Sequence, residues 1–330
     1  MQNICVLGAK TLVGRELISI LEQRDFPLKK IYLHDVAAVE GEESVFKGRS
    51  VDLHSHCEEF LNEVELVFCC QDKVRARPLI NKFKQRALVI DLSGASQFVP
   101  AVPHIIPEIN GQDLKEHKGV VANPNPMTIQ LLLPLYPLHK KYTLNRLHVT
   151  ALSAVSAYGI DAINELDYEY EFLAVGEEIA KAEDGVFPYS IGSNVIPQMG
   201  DFDRDGHTEK ESLVAREAAM ILDRDDILIT TTCMWVPVRR ANCTVVYAGF
   251  ENEISLADAG KLLNGAAGIK FMKGEEYPTP EYVVGKDEVF VGRLREDVGF
   301  ENGLAMWIVA DNLRKGSALN AVQIAEQINL

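Results

Sequence analysis

Gly8 and Gly14 bracket the stretch Gly8-Ala9-Lys10-Thr11-Leu12-Val13-Gly14, where an apolar strand pattern gives way to a helical one. At such a junction a pyrophosphate can meet the free backbone N–H groups of a helix N-terminus. Gly8 lets the chain turn tightly and Gly14 lets the helix approach the sheet, with Lys10, Thr11, Leu12 and Val13 between them as candidate nucleotide contacts. Thr11 stands where a middle glycine would give a phosphate close backbone approach, so a phosphate cradle and an ordinary strand-to-helix turn both fit. The second strand pattern ends at Asp35, where a carboxylate can accept hydrogen bonds from an adenosine ribose. A carboxylate there disfavours a 2′-phosphate, and Val36, Ala37 and Ala38 add no cation, so NAD is expected over NADP. The competing role for Asp35 is to cap a turn.

His54, His56 and Cys57 have the residue types of a zinc site, but no second ligand pair follows at finger-like spacing, so no metal is expected. The six cysteines, several inside apolar runs, read as reduced buried thiols rather than a disulfide framework. The acidic run 165–171 alternates with tyrosines and reads as the solvated side of a helix.

These side chains need elements to hold them. Strand-like runs at 4–7, 31–34, 65–70, 87–91 and 120–122 alternate with helical runs such as 12–23, the pattern of a parallel sheet covered by helices. From residue 145 onward longer strand-like runs dominate, at 147–155, 227–238, 243–250, 282–294 and 305–310. One helical pattern among them puts Ile163, Leu166, Tyr170 and Leu173 on one face; another begins at Ser255 with Asp258 in capping position. The last helical run, 314–328, carries a small-residue face of Ala318, Val322 and Ala325 suited to packing back on the first sheet.

Lys and Arg number 33 against 48 Asp and Glu, a net charge of -15, so no basic field exists to engage nucleic acid or an anionic membrane surface. Hydrophobic content of 47% and charged content of 25% match an ordinary globular protein of two domains. The apolar stretch 129–138 is broken by Pro134 and Pro137 and is too short to span a bilayer. The N-terminus enters a strand pattern at once, without a basic leader, and a cytoplasmic location is expected.

Three stretches point to a known family: VANPNPMTIQLLLPLYPL (121–138), YPTPEYVVGKDEVFVGRLRED (277–297) and ADNLRKGSALNAVQIAE (310–326). Pro107-Glu108-Ile109-Asn110 and Val236-Pro237-Val238 support them. Over nearly all its length the chain resembles the aspartate-semialdehyde dehydrogenase family. The resemblance implies a reaction in which a cysteine thiolate adds to the aldehyde, hydride passes to NADP, and phosphate releases the resulting thioester. The position of that cysteine is Pro126, which suits the first turn of a helix but offers no nucleophile. The position of the histidine base is Asn242, whose amide cannot exchange a proton near neutral pH. Trp235 stands where an arginine would clamp the substrate carboxylate, Gln97 where an arginine would bind phosphate, Leu213 at the lysine of a later acidic run and Ser153 at the active-site glutamine. Gln71 and Asp72 replace smaller residues in a turn expected beside the nucleotide, and Asn312 is expected to help close that pocket. Cys243 is a candidate substitute thiol, although strand alternation turns it away from the face of Asn242 and favours a packing role; Cys233 reads as core.

The expected fold class is α/β: a Rossmann-like nucleotide-binding domain (1–125 with 313–330) plus an α+β catalytic/dimerisation domain (126–312). The resemblance implies a homodimer through that second domain. Loss of the nucleophile alone lowers such a rate by about 10⁴ to 10⁶, so a divergent, non-catalytic family member that still binds NAD is expected. Two alternatives stay open: an NAD-dependent oxidoreductase acting on a neutral carbonyl or alcohol, and an interaction protein, including a partner of an active relative.

Overall fold

The computed structural model describes residues 2–177, 179 and 185–328. The chain divides into two compact units, Met1–Pro124 with Ser317–Leu330, and Asn125–Gly316.

The first unit contains β1 (Gln2–Leu7), α1 (Leu12–Gln23), β2 (Leu28–His34), β3 (Glu43–Phe46), β4 (Arg49–His54), β5 (Leu66–Cys69), α2 (Lys73–Phe83), β6 (Leu88–Asp91), α3 (Pro107–Asn110) and β7 (Val120–Ala122). The strands form one sheet in the order β3-β4-β2-β1-β5-β6-β7, parallel except for the β3–β4 pair. Its central strands are buried on both faces: Ile4, Val6, Phe68 and Ile90 join one core, Cys5, Leu7, Val67 and Val89 another. Double burial is why these strands read as unbroken apolar runs. Strand order reverses at β1, which has β2 on one side and β5 on the other; ligands of open α/β sheets bind at such a switch point. The C-terminal helix Leu319–Ile328 places Ala321, Val322 and Ala325, with Ala318 before it, in the same core as Leu17 and Leu21 of α1. Asn320, fully buried, donates to the Ile105 carbonyl (3.0 Å) and to Asn123 Oδ1 (2.8 Å).

The second unit contains α4 (Pro126–Tyr142), β8 (Leu144–Ala154), α5 (Ile160–Ala174), α6 (Glu209–Ile221), β9 (Leu228–Val236), β10 (Asn242–Phe250), α7 (Leu256–Gly265), β11 (Ile269–Phe271), α8 (Pro280–Val283), β12 (Val289–Glu296) and β13 (Gly303–Ala310). Its strands form a mixed sheet, β11-β12-β13-β10-β8-β9, in which β8–β9 and β11–β12 run parallel and the other pairs antiparallel. Helices α4, α6 and α7 pack against it. Among the described residues no helix is long and apolar enough to cross a membrane.

Local chemistry redraws several boundaries read from the sequence. The run 282–294 is not one strand: Pro280 opens α8, the Thr279 hydroxyl accepts from Tyr282 N, and β12 begins only at Val289. In α5 the buried face is Ala162, Leu166 and Glu169, while Tyr170 and Leu173 stay exposed. The acidic run is therefore not all solvated: Glu169 is buried and accepts the Gly192 N–H, and burial pushes its carboxyl above the usual range. A wide π-type turn over Arg314–Ala318 precedes the last helix, which starts at Leu319.

Candidate functional site

In the first unit the end of β1 is shaped by lack of space. Gly8 has φ of 87°, and a Cβ on it would lie 2.9 Å from the Cys70 carbonyl and from Gln71 N. A Cβ on Gly14 would lie 2.0 Å from the Gly8 oxygen. Thr11, at the position of the middle glycine and a candidate nucleotide contact, caps α1: its Oγ1 accepts the Gly14 N–H (3.0 Å) and donates to the Gly8 carbonyl (2.8 Å). The N–H groups of Leu12 and Val13 then have no acceptor among the described residues.

Asp35, just past β2 and buried, accepts the Lys10 N–H (3.0 Å) and the Ala37 N–H (2.9 Å), so it does cap the turn. Each carboxylate oxygen keeps a second lone pair for another donor. Although 36–38 carry no cation, Lys10 brings one there, its Nζ 3.1 Å from the Ala37 carbonyl. Asp72 turns its carboxylate to the N–H groups of Val74 and Arg75 and caps α2. Gln71 is buried and its Nε2 has no partner among the described residues. Two open helix N–H groups, a glycine pair that admits no Cβ and an unpartnered amide donor fit a pyrophosphate. Gln97, in the same unit, lies over Gly94, with its Oε1 2.9 Å from where a Cβ there would sit. Fully buried Asp91 ties that loop through the N–H groups of Ser93 (2.8 Å) and Ser96 (2.7 Å).

In the second unit Pro126 occupies the first position of α4, after Asn125, whose side chain accepts the Met127 N–H (3.0 Å). The Asn125 N–H donates to Glu217 Oε2 (3.0 Å), and the Thr128 hydroxyl donates to the same oxygen (2.6 Å). One turn along α4, Gln130 donates to the Ala310 carbonyl (3.3 Å), and its Oε1 has no partner among the described residues. Gly316 lies against both: a Cβ there would meet Pro126 Cβ and Gln130 Nε2 at 2.9 Å.

Asn242 pairs in register with Ala310, and Ser153 with Trp235. Asn242 is buried; its Oδ1 accepts the Ala154 N–H (3.0 Å), and its Nδ2 has no partner among the described residues. These contacts gather Pro126, Ser153, Trp235 and Asn242 at one end of the mixed sheet. Trp235 is packed edge-on against Phe187 and Tyr158, ring centroids 5.3 and 6.0 Å away. Ser153 is buried with its hydroxyl 3.4 Å from the Ala154 carbonyl. Leu213 is half-buried on α6, two residues after Glu211, which accepts the Cys233 N–H (2.9 Å). The Asn312 amide is taken up locally, accepting the Ala241 N–H (2.9 Å) and bonding the Ser156 hydroxyl (3.1 Å). Arg240 donates to buried Asp311 (2.8 Å).

Burial pushes the thiols of Cys233 and Cys243 up to about 12, so neither forms a thiolate near neutral pH. Cys243 packs with Phe290 and Val309. Among the described residues no group of three metal ligands occurs, and His54 Nδ1 lies 3.7 Å from a Glu59 oxygen.

Sequence reasoning missed Glu217, a fully buried carboxylate that fixes the start of α4. Its helical spacing from Val214 and Ile221, both core residues, was the available signal. Gln130 and the Lys10–Glu42 ion pair were missed as well, the latter because it joins residues 32 apart.

Residues 3–117 match the family model described as "Semialdehyde dehydrogenase, NAD binding domain", and residues 135–315 the one described as "Semialdehyde dehydrogenase, dimerisation domain". An aspartate-semialdehyde dehydrogenase of Aquifex aeolicus is 36% identical over 98% of this chain and 97% of its own length. The chain belongs to the aspartate-semialdehyde dehydrogenase family. Another member of the family, from Bacillus subtilis, is 33% identical over 99% of this chain and 97% of its own. Among solved structures, aspartate semialdehyde dehydrogenase II from Vibrio cholerae, complexed with ASA, superposes with a TM-score of 0.96 at 30% identity, covering 100% of this chain and 98% of that one. The family's NAD-binding domain implies a nicotinamide cofactor.

Proposed function

We propose that this chain is a divergent member of the aspartate-semialdehyde dehydrogenase family that binds NAD in preference to NADP, forms a homodimer, and does not carry out the thiolate-dependent reaction. The observation that carries this reading is the replacement of both reacting side chains by groups with structural work. Pro126 opens α4 without a nucleophile, and the Asn242 amide holds the Ala154 N–H. The substrate anion positions are equally changed, since Trp235 belongs to an aromatic cluster and Leu213 and Gln97 carry no charge.

The nucleotide half of the reading rests on the open N–H groups of Leu12 and Val13, which would hold the pyrophosphate, and on Asp35, which would accept from the adenosine ribose. NAD bound there supplies a hydride acceptor. The match to the dimerisation domain supports the homodimer, the acidic charge argues against nucleic-acid or membrane-surface partners, and the six free, buried cysteines support a cytoplasmic location.

A second reading, an NAD-dependent oxidoreductase on a neutral carbonyl or alcohol, is favoured by one observation. Asn242 Nδ2 and Gln130 Oε1, a buried donor and a buried acceptor, both lack partners among the described residues, and an uncharged polar group could satisfy them. Calorimetric titration of the purified protein with NAD and with NADP tests the proposal. Binding of NAD more tightly than NADP is expected; binding of neither refutes the nucleotide site and moves the search to a protein partner.

A further inference from the structure

We infer that Glu42 sets the choice between the two nicotinamide nucleotides by occupying the Lys10 ammonium, which reaches the rim of the ribose site; this rests on the nucleotide reading of the first unit. Lys10 reaches that rim from the turn after β1. Its main-chain N–H donates to Asp35, and its side chain runs on to the carbonyl of Ala37, whose own N–H donates to the other Asp35 oxygen. The ammonium therefore sits on the same short segment, 35–37, that presents the ribose acceptor.

Glu42 closes this arrangement from the far side. One carboxylate oxygen lies 2.9 Å from Lys10 Nζ, and the other accepts the Val39 N–H (3.0 Å), so the carboxylate is anchored before it meets the lysine. The Lys10 hydrogen bond holds the Glu42 carboxyl below its usual range. The rim thus carries two carboxylates and one ammonium. A 2′-phosphate, with about two negative charges, meets a net negative rim whose ammonium is already engaged. A ribose hydroxyl meets an acceptor. Neutralising Glu42 leaves Asp35 and Lys10 balanced and frees the ammonium for a charge-assisted bond to phosphate. The pair is partly exposed, with side-chain exposures of 35% and 27%, so the fold depends on it little.

The test is calorimetric titration of the full-length wild type, Glu42→Gln and the double variant Lys10→Met/Glu42→Gln with NAD and NADP. Glutamine keeps an acceptor for the Val39 N–H, and Glu42→Ser serves as a second variant should the first fail to fold. The ratio of NADP to NAD affinity is expected to rise about tenfold or more in Glu42→Gln and to fall back in the double variant. NAD binding with an unchanged ratio in Glu42→Gln overturns the assignment of Glu42 alone. A raised ratio that persists without Lys10 overturns it too. Absence of binding by either nucleotide in every form overturns the nucleotide site itself, and this role with it.

Discussion

The turn after β1 and the end of the mixed sheet have met divergence differently. At the first, the groups that would hold a ligand belong to the backbone: open N–H groups at Leu12 and Val13, held by glycines that admit no Cβ. Threonine at position 11 is absorbed there, because its hydroxyl caps the helix without using those N–H groups. At the second, the reaction that the family resemblance implies depends on side chains, and on the proposed reading each replacement removes a function that no backbone group can supply. What survives there is the scaffolding: proline suits the first turn of α4, buried Glu217 holds the residue before it, and Asn242 keeps a hydrogen bond to β8. On that reading a backbone site outlasts substitution where a side-chain site does not.

The largest effect that would sharpen this contrast is expected at Gly14. Gly14→Ala forces a Cβ onto the Gly8 oxygen and should lower stability by about 3 kcal/mol, read in urea unfolding, with nucleotide binding lost. Glu217→Ala strips partners from the Asn125 N–H and the Thr128 hydroxyl, both buried, and should lower stability by about 2 kcal/mol by the same measurement. Restoring the reacting groups is expected to do less. The triple variant Pro126→Cys, Asn242→His, Gln97→Arg should raise turnover of aspartate semialdehyde less than about a hundredfold over background, because Trp235 remains in its aromatic cluster. A larger gain would break the contrast, showing that the side-chain site was damaged only at its reacting atoms.

The smallest effect concerns pH. Burial lowers the pKa of His34 and of His104, both in the first unit, below the ordinary 6.5. The fold holds them neutral while the unfolded chain takes up protons, so their contribution is complete above about pH 6.5 and is lost progressively as pH falls below that value toward the lower folded-state pKa. Urea midpoints at pH 7.5 and 5.5 should show the decline, and His34→Gln should make it shallower.

The strands around the nucleotide turn were legible because burial on both faces leaves long apolar runs such as those of β1 and β5. The β3–β4 hairpin was not, since its short strands turn only Phe46, Val51 and Leu53 to the core while apolar Val45 stays exposed among charged and polar residues. At the site, residue types at Pro126 and Asn242 were readable from matching runs on either side, whereas their present duties were not. That Asn242 bonds Ala154, or that Lys10 meets Glu42, follows from pairing between segments far apart in sequence. The apolar pattern assigned to α5 failed for a related reason: Glu169 is drawn inside by the Gly192 N–H, a partner 23 residues away.

The proposal that the scaffold persists without the thiolate reaction is tested by absorbance at 340 nm. Purified protein is mixed with aspartate semialdehyde, phosphate and NAD or NADP, and formation of the reduced nucleotide is followed against a protein-free control. No increase above the control is the predicted result with either nucleotide. Sustained phosphate-dependent turnover would contradict it.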